Sequence, residues 1–406
     1  MKMGFISFEE SVKLLESAEI GTVGVQKLPL PDTLGRILAE DIVAEENSPK
    51  YPTSAMDGYA IVGSDQELGR LKIVQINPAG RDTEGLKVVP GSAIKTFTGA
   101  LMPEGADTLI PIENVTVEGE TVLIEEPVPT GFAVRPVGEN FRKDEVLIGR
   151  GSRIGFAQSG VMASLNIVSP LVYQKPKVAV LATGSEVLEL GECSDNPAQI
   201  RSSNNYTLEA LVSMHGGEPV QLGSVHDDRS AITAAMRRAL ESADIVVTTG
   251  GVSVGDYDFV KDVIRDELGC SVLFKGVRIK PGQHVMVAQK GNRFIVALPG
   301  FAYSSTVTFM LYVLPILYRM TGREFTLPVV NARIVEGYRK RAKGKVEFAA
   351  CNLRLKDGEY ICDFEGKRSG SSAILTNLLS DAGLLWLDEE EGDKEPGDSV
   401  RVVRLD

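Results

Sequence analysis

The chain has 406 residues, room for about two to four domains with well-buried cores. Its 43 Lys and Arg against 55 Asp and Glu leave a formal charge of −12. That balance disfavours nonspecific nucleic-acid binding and adhesion to anionic membranes, and it requires any anionic ligand to be met by locally gathered cations.

In chain order, the opening MKMGFISFEESVKLLESAEI carries acids where a signal peptide needs an apolar run, so none is expected. Ser7 followed by Glu10 predicts a capping box opening an amphipathic helix at 8–18. Residues 1–45 and 141–176 read as two halves of one segment. Residues 46–140, rich in Gly, Pro and Val, read as a small β domain inserted between them. Residues 177–325 alternate apolar strands with helical patterns at 204–215, 228–242 and 256–268, the order of βαβ units on a parallel-rich sheet. Gln289 to Arg293 reads as a hairpin turn. Residues 301–318 lack charge, but Ser304, Ser305, Thr306, Thr308 and Pro315 count against a membrane span. A buried helix is expected there, closing the α/β domain or lining an oligomer interface. Residues 326–406 return to β character, with a hairpin signal at Lys356-Asp357-Gly358-Glu359 and a terminal strand in GDSVRVVRL. The acidic run Asp388-Glu389-Glu390-Glu391 is expected to be a solvated turn. The fold class is multidomain α/β plus β.

The chemistry concentrates at strand ends. Residues 244–258, DIVVTTGGVSVGDYD, combine a β-branched strand, the bend Thr249-Gly250-Gly251, the hydroxyl of Ser253, Gly255, the carboxylates Asp256 and Asp258, and a helix start. Glycine there lets the backbone approach a ligand, helix-start N–H groups favour an anion, and the carboxylates favour the hard cation that accompanies phosphate. A tight βα turn with an acidic cap would explain one such bend. Two further strands end the same way, in Thr183-Gly184-Ser185-Glu186 and in Pro299-Gly300, and Ile279-Lys280-Pro281-Gly282 ends another extended run. Ligands of open α/β sheets sit at such carboxyl ends. No GxxxxGK[ST] loop and no strand–GxGxxG–helix unit occurs, which counts against P-loop NTPases and NAD enzymes. Cys193, Cys270, Cys351 and Cys362, with His215, His226 and His284, form no zinc pattern or hydrolase triad, and a reducing cytoplasm is the expected compartment.

TGSE and TTGGVSVGDYD resemble the α/β domain of molybdenum-cofactor biosynthesis, and Ser54-Ala55-Met56-Asp57-Gly58-Tyr59-Ala60 looks like the SAMDGYA signature of the molybdopterin molybdenumtransferase (MoeA, gephyrin E-domain) family. The order of segments is also similar: a split first domain, an inserted β domain, a molybdopterin-binding α/β domain and a C-terminal β-barrel-like domain. The resemblance implies insertion of molybdenum from molybdate into adenylylated molybdopterin with release of AMP, assisted by Mg²⁺. It implies a cytoplasmic homodimer whose SAMDGYA turn faces the α/β strand ends of its mate. A molybdopterin adenylyltransferase and acceptor molybdoenzymes are its implied partners.

By position, Asp57, Glu186, Asp227, Asp258 and Lys280 match the family's catalytic set, with Mg²⁺ on Glu186, Asp227, Asp256 and Asp258. Thr98 and Arg135 in the inserted domain match its cofactor contacts, Lys345 stands where the family often has Arg, and Ser372 lies in a Ser-rich turn resembling its pterin contact, beside the glycine bends already named. Bland roles compete: Glu186 as a helix-start carboxylate, Asp227 as an N-cap contested by Asp228, Asp57 as an Asx turn. The chain departs from the family at Asn140, at Gln283-His284 after KPG, and at Phe301-Ala302-Tyr303 after Pro299-Gly300. Arg278 and Lys275 are expected to restore positive charge near the last two. Two alternatives share the α/β domain or the binding site: a molybdopterin adenylyltransferase or nucleotide-hydrolysing relative, and a non-enzymatic cofactor carrier or scaffold.

Overall fold

The computed structural model describes residues 5–194, 196–252, 259–368 and 370–405. The helix Phe8–Ser17 opens on Ser7, whose hydroxyl accepts the Glu10 N–H at 3.0 Å. Beyond it, Val25–Lys27 pairs with Leu171–Tyr173, and Ile42–Val43 with Val146–Ile148. These pairings draw together chain from both sides of the β-rich stretch, around a small core that includes Leu38, Ile148, Met162 and Val172. The stretch between them folds as a mixed sheet in the order Thr108–Pro111, Gly58–Ile61, Ser92–Thr96, Arg70–Asn77, Thr121–Ile124, Val115–Glu118.

The α/β sheet runs Glu218–Val225, Lys177–Thr183, Ile245–Thr249, Arg293–Leu298, Met286–Lys290, Ser271–Lys275. The first four strands are parallel and the last two antiparallel. Its central strands are largely apolar because both faces are covered, with Thr183, Thr248 and Thr249 buried at their carboxyl ends. Side chains alternate across a pleated sheet, so Val178, Val180, Ile245, Val247, Phe294 and Val296 enter one core and Ala179, Leu181, Val246, Ile295 and Ala297 the other. Leu208 and Val212 of the helix Asn204–Met214 close the first face. Ile232, Met236 and Ala239 of Arg229–Ser242 close the second, with Val263 and Ile264 of the short Val260–Glu267 helical stretch.

The helix Ala302–Arg319 is buried on nearly all sides, and no helix among the described residues is long and apolar enough to cross a membrane. One side of it packs on the sheet. The other meets a closed five-stranded barrel of Val329–Ile334, Val346–Lys356, Glu359–Asp363, Ala382–Leu387 and Ser399–Arg404. Phe348, Leu384 and Val403 of the barrel share its core, and the Tyr303 hydroxyl donates to the Phe348 carbonyl at 2.8 Å.

Two expectations need correction. Ile279–Lys280 does not extend the α/β sheet. It pairs with Val346 and Glu347 at the barrel's edge. The run Asp388–Glu391 is more than a solvated turn. Asp388 and Glu391 accept from Arg401, Glu389 accepts from Arg278 at 2.8 Å, and the Asp388 and Glu389 carbonyls accept from Lys340. The charge density of the run serves to gather cations from several parts of the chain.

Candidate functional site

A cleft of about 1070 Å³ lies between the carboxyl edge of the α/β sheet and the rim of the barrel. Three of the four parallel strand ends build its floor. Thr183 and Thr249 end neighbouring strands, and the Thr183 hydroxyl donates to the Thr249 carbonyl at 3.3 Å. The chain then turns through Gly250 at φ +93°. A Cβ on Gly250 would stand 2.6 Å from the Thr183 carbonyl oxygen, so the two turns can nest only if this residue is glycine. Pro299 and Gly300 complete the floor, and Asn204 donates to the Gly300 carbonyl at 2.7 Å.

Glu186 and Asp227 line the same cleft from adjacent turns. The helix after Asp227 is capped by Asp228, which accepts the Ala231 N–H at 2.8 Å and the Ser230 hydroxyl at 2.6 Å. Those bonds, the hydroxyl's foremost, hold the Asp228 carboxyl below its usual pKa. Asp227 is thereby spared the capping role. It accepts the Ser185 N–H at 3.3 Å, while its own N–H donates to the Ser185 hydroxyl at 3.2 Å. Ser185 thus ties the two turns together. Neither Glu186 nor Asp227 forms an ion pair among the described residues.

The opposite wall comes from the barrel. Lys280 reaches the cleft from the edge strand, beside Arg341, Lys343 and Lys345 of the turn that leads into its partner strand Val346–Lys356. Buried Glu347 shapes that turn, accepting the Arg341 N–H at 2.8 Å, the Ala342 N–H at 3.0 Å and the Tyr338 hydroxyl at 2.9 Å. Ser372 closes the rim, its carbonyl accepting the Ser304 N–H at 3.2 Å in the first turn of the long helix. A second cavity of about 410 Å³ adjoins, sharing Lys280, Pro281, Arg341 and Ser372. With Arg201 on the α/β side, the cations of the main cleft outnumber Glu186 and Asp227, in a molecule that is acidic overall. An anion is the ligand such a surface favours.

The structure therefore brings Thr183, Gly184, Glu186, Asp227, Thr249, Gly250, Gly251, Lys280, Pro299, Gly300, Lys345 and Ser372 to one cleft. Ser253, Gly255, Asp256 and Asp258 lie outside the described residues. Asp57, Thr98 and Arg135 do not line this cleft. Asp57 accepts the Thr98 N–H at 2.8 Å and its hydroxyl at 2.7 Å, and these bonds, the hydroxyl's first, lower its pKa. Arg135 pairs with Glu139 at 2.5 Å. Arg278, tied to Glu389, and Lys275 do not supply the missing charge either. Sequence reasoning missed Arg201, Asn204, Arg341 and Lys343. The basic run Arg339-Lys340-Arg341-Ala342-Lys343-Gly344-Lys345 was a legible signal for the last two.

Residues 6–166 match the family description "MoeA N-terminal region (domain I and II)", and residues 179–319 match "Probable molybdopterin binding domain". The molybdopterin molybdenumtransferase of Nostoc sp. is 32% identical over 91% of this chain and 86% of its own. That of Bacillus subtilis (strain 168) is 33% identical over 93% and 89%. The crystal structure of the molybdopterin biosynthesis moeA protein from Pyrococcus horikoshii OT3 is similar throughout, with a TM-score of 0.84 and 28% identity over 99% of this chain and 100% of that one. With its whole length sharing that architecture, the chain belongs to the molybdopterin molybdenumtransferase family of transferases.

Proposed function

We propose that this protein, as part of molybdenum cofactor biosynthesis, transfers molybdenum from molybdate into adenylylated molybdopterin and releases AMP. The observation that carries the reading is the composite cleft. Glycine turns and two carboxylates of the α/β sheet face Lys280, Arg341, Lys345 and Ser372 of the barrel edge and rim. A substrate joining a pterin phosphate to AMP needs a long anion-receptive groove, and a second oxyanion needs its own cations beside it. An adenylyltransferase built from the α/β part alone would not need the barrel's contribution.

The chain's own residues bind and orient. Backbone around Gly250 and Gly251 lets a phosphate approach closely, while Lys280 and its neighbours offset its charge and that of the incoming oxyanion. Carboxylate oxygens suit a hard divalent cation. Glu186 and Asp227 supply two such donors, Asp256 and Asp258 are the further candidates, and no group of three metal-ligating side chains occurs among the described residues. Mg²⁺ held there would spread charge developing on the phosphoryl oxygens.

The test is to incubate the protein with adenylylated molybdopterin, Mg²⁺ and molybdate or tungstate, and to follow AMP. AMP should appear only with the oxyanion, and chelation should stop it. Asp227→Asn and Asp258→Asn should each lose most of the rate while retaining the parent's unfolding midpoint. Near-normal turnover in both variants would remove the carboxylates from the mechanism, and no AMP from the parent would end the proposal.

A further inference from the structure

Lys345 ends a turn whose backbone is held at both sides. Glu347 fixes Arg341 and Ala342 on one side, and the pairing of Val346 with Ile279 fixes the other. The side chain is a different matter, because a lysine stem is flexible and a free ammonium wanders over several rotamers. Here Lys345 Nζ donates to Gln283 Oε1 at 2.5 Å. The Gln283 Nε2 group lies 2.9 Å from His284 Nε2, and all three residues line the cleft.

The chemistry of this row runs in one direction. An ammonium can only donate, so the Gln283 atom facing it must be the carbonyl oxygen. That places the amide NH₂ toward His284, where Nε2 can accept from it. A neutral amide holds the ammonium in place without cancelling its charge, as a carboxylate would. One donor of Lys345 is used, and two remain for a ligand.

We propose that Gln283 is a positioning residue, holding the Lys345 ammonium on the cleft wall so that it is preset to receive an oxyanion. The proposal rests on reading the cleft as an anion site. The ordering of the lysine stem is completed on folding instead of on binding, so removing the tether shifts that entropy onto the ligand.

The experiment measures binding of molybdate alone and of AMP alone to the full chain by titration calorimetry, which separates oxyanion from phosphate. Gln283→Leu should weaken at least one of the two by about two- to twelvefold, the range set by ordering one long side chain. Gln283→Glu, close to isosteric, should weaken the same ligand by neutralising Lys345, and it carries the test should the leucine variant fold poorly. Lys345→Ala should lose as much as Gln283→Leu, and the double variant should lose no more than Lys345→Ala. That non-additivity, with an unchanged unfolding midpoint, is what a purely structural glutamine would not give. The inference is overturned by affinities within twofold of the parent in both Gln283 variants, by single effects that multiply in the double variant, or by a parent that binds neither anion. A parent that binds both anions but releases no AMP would sink the proposed reaction and leave this inference standing.

Discussion

Asp227 and Asp228 are consecutive carboxylates with different work, and the division follows from helix geometry. A capping side chain must reach the N–H three residues on, and Asp228 does so. Asp227 stands one residue earlier and meets Ser185 of the adjacent turn instead. Gly250 makes a similar point for the backbone. At φ +93°, with the Thr183 carbonyl 2.6 Å from a Cβ position, Gly250→Ala should strain the turn and displace the strand ends. Gly191 provides the control, since it has φ +91° and nothing within 4 Å of its Cβ position. Gly191→Ala should cost only backbone strain, about 1 kcal/mol, whereas Gly250→Ala should cost about 3 kcal/mol and abolish AMP release. Denaturant unfolding compares the two. Equal losses, with activity kept, would show that the crowding at Gly250 is relieved at no cost. At this scale the glycines and acids were legible in the sequence. Which acid caps and which faces the cleft was not, because adjacent residues of one type differ only in where the backbone points them.

Among the elements, the edge pair of Ile279–Lys280 with Val346–Glu347 does most to build the site. It carries Lys280 on one strand and Lys345 in the turn that leads into the other, and it turns Glu347 inward. Glu347 satisfies three donors in a buried place, and burial, then the charge of Glu347, raises the Tyr338 pKa so that its hydroxyl stays protonated and donates. Glu347→Ala should orphan those donors. We expect about 3 kcal/mol of lost stability in denaturant unfolding and weaker anion binding as the turn bearing Arg341 and Lys345 loosens. Unchanged stability would mean that water replaces the carboxylate. The long apolar strands of the α/β sheet could be read from the chain because both their faces are buried and most positions are apolar. A two-residue strand carries no periodicity, so the sequence could not say which sheet claims Ile279–Lys280.

Over the whole molecule, the SAMDGYA turn with Asp57, its partner Thr98, and Arg135 stand on the inserted β-rich unit, away from the lining of the cleft. If a homodimer places them at the mate's cleft, then Asp57→Ala and Lys280→Ala chains, each inactive alone, should regain AMP release when unfolded together and refolded as a mixture. Activity staying at the level of the separate variants would confine the reaction to one chain or remove Asp57 from it. By itself, the sequence determined the class of fold, the glycine-bearing strand ends, and an acidic molecule that needs gathered cations to hold an anion. These are local properties, set by side-chain period and turn chemistry. Only the tertiary structure decided which cations gather and what they face. Lys280, Arg341 and Lys345 stand opposite Glu186 and Asp227 because a barrel closes against a helix more than a hundred residues after the first strand end, and such long-range packing leaves no mark in any short stretch of chain.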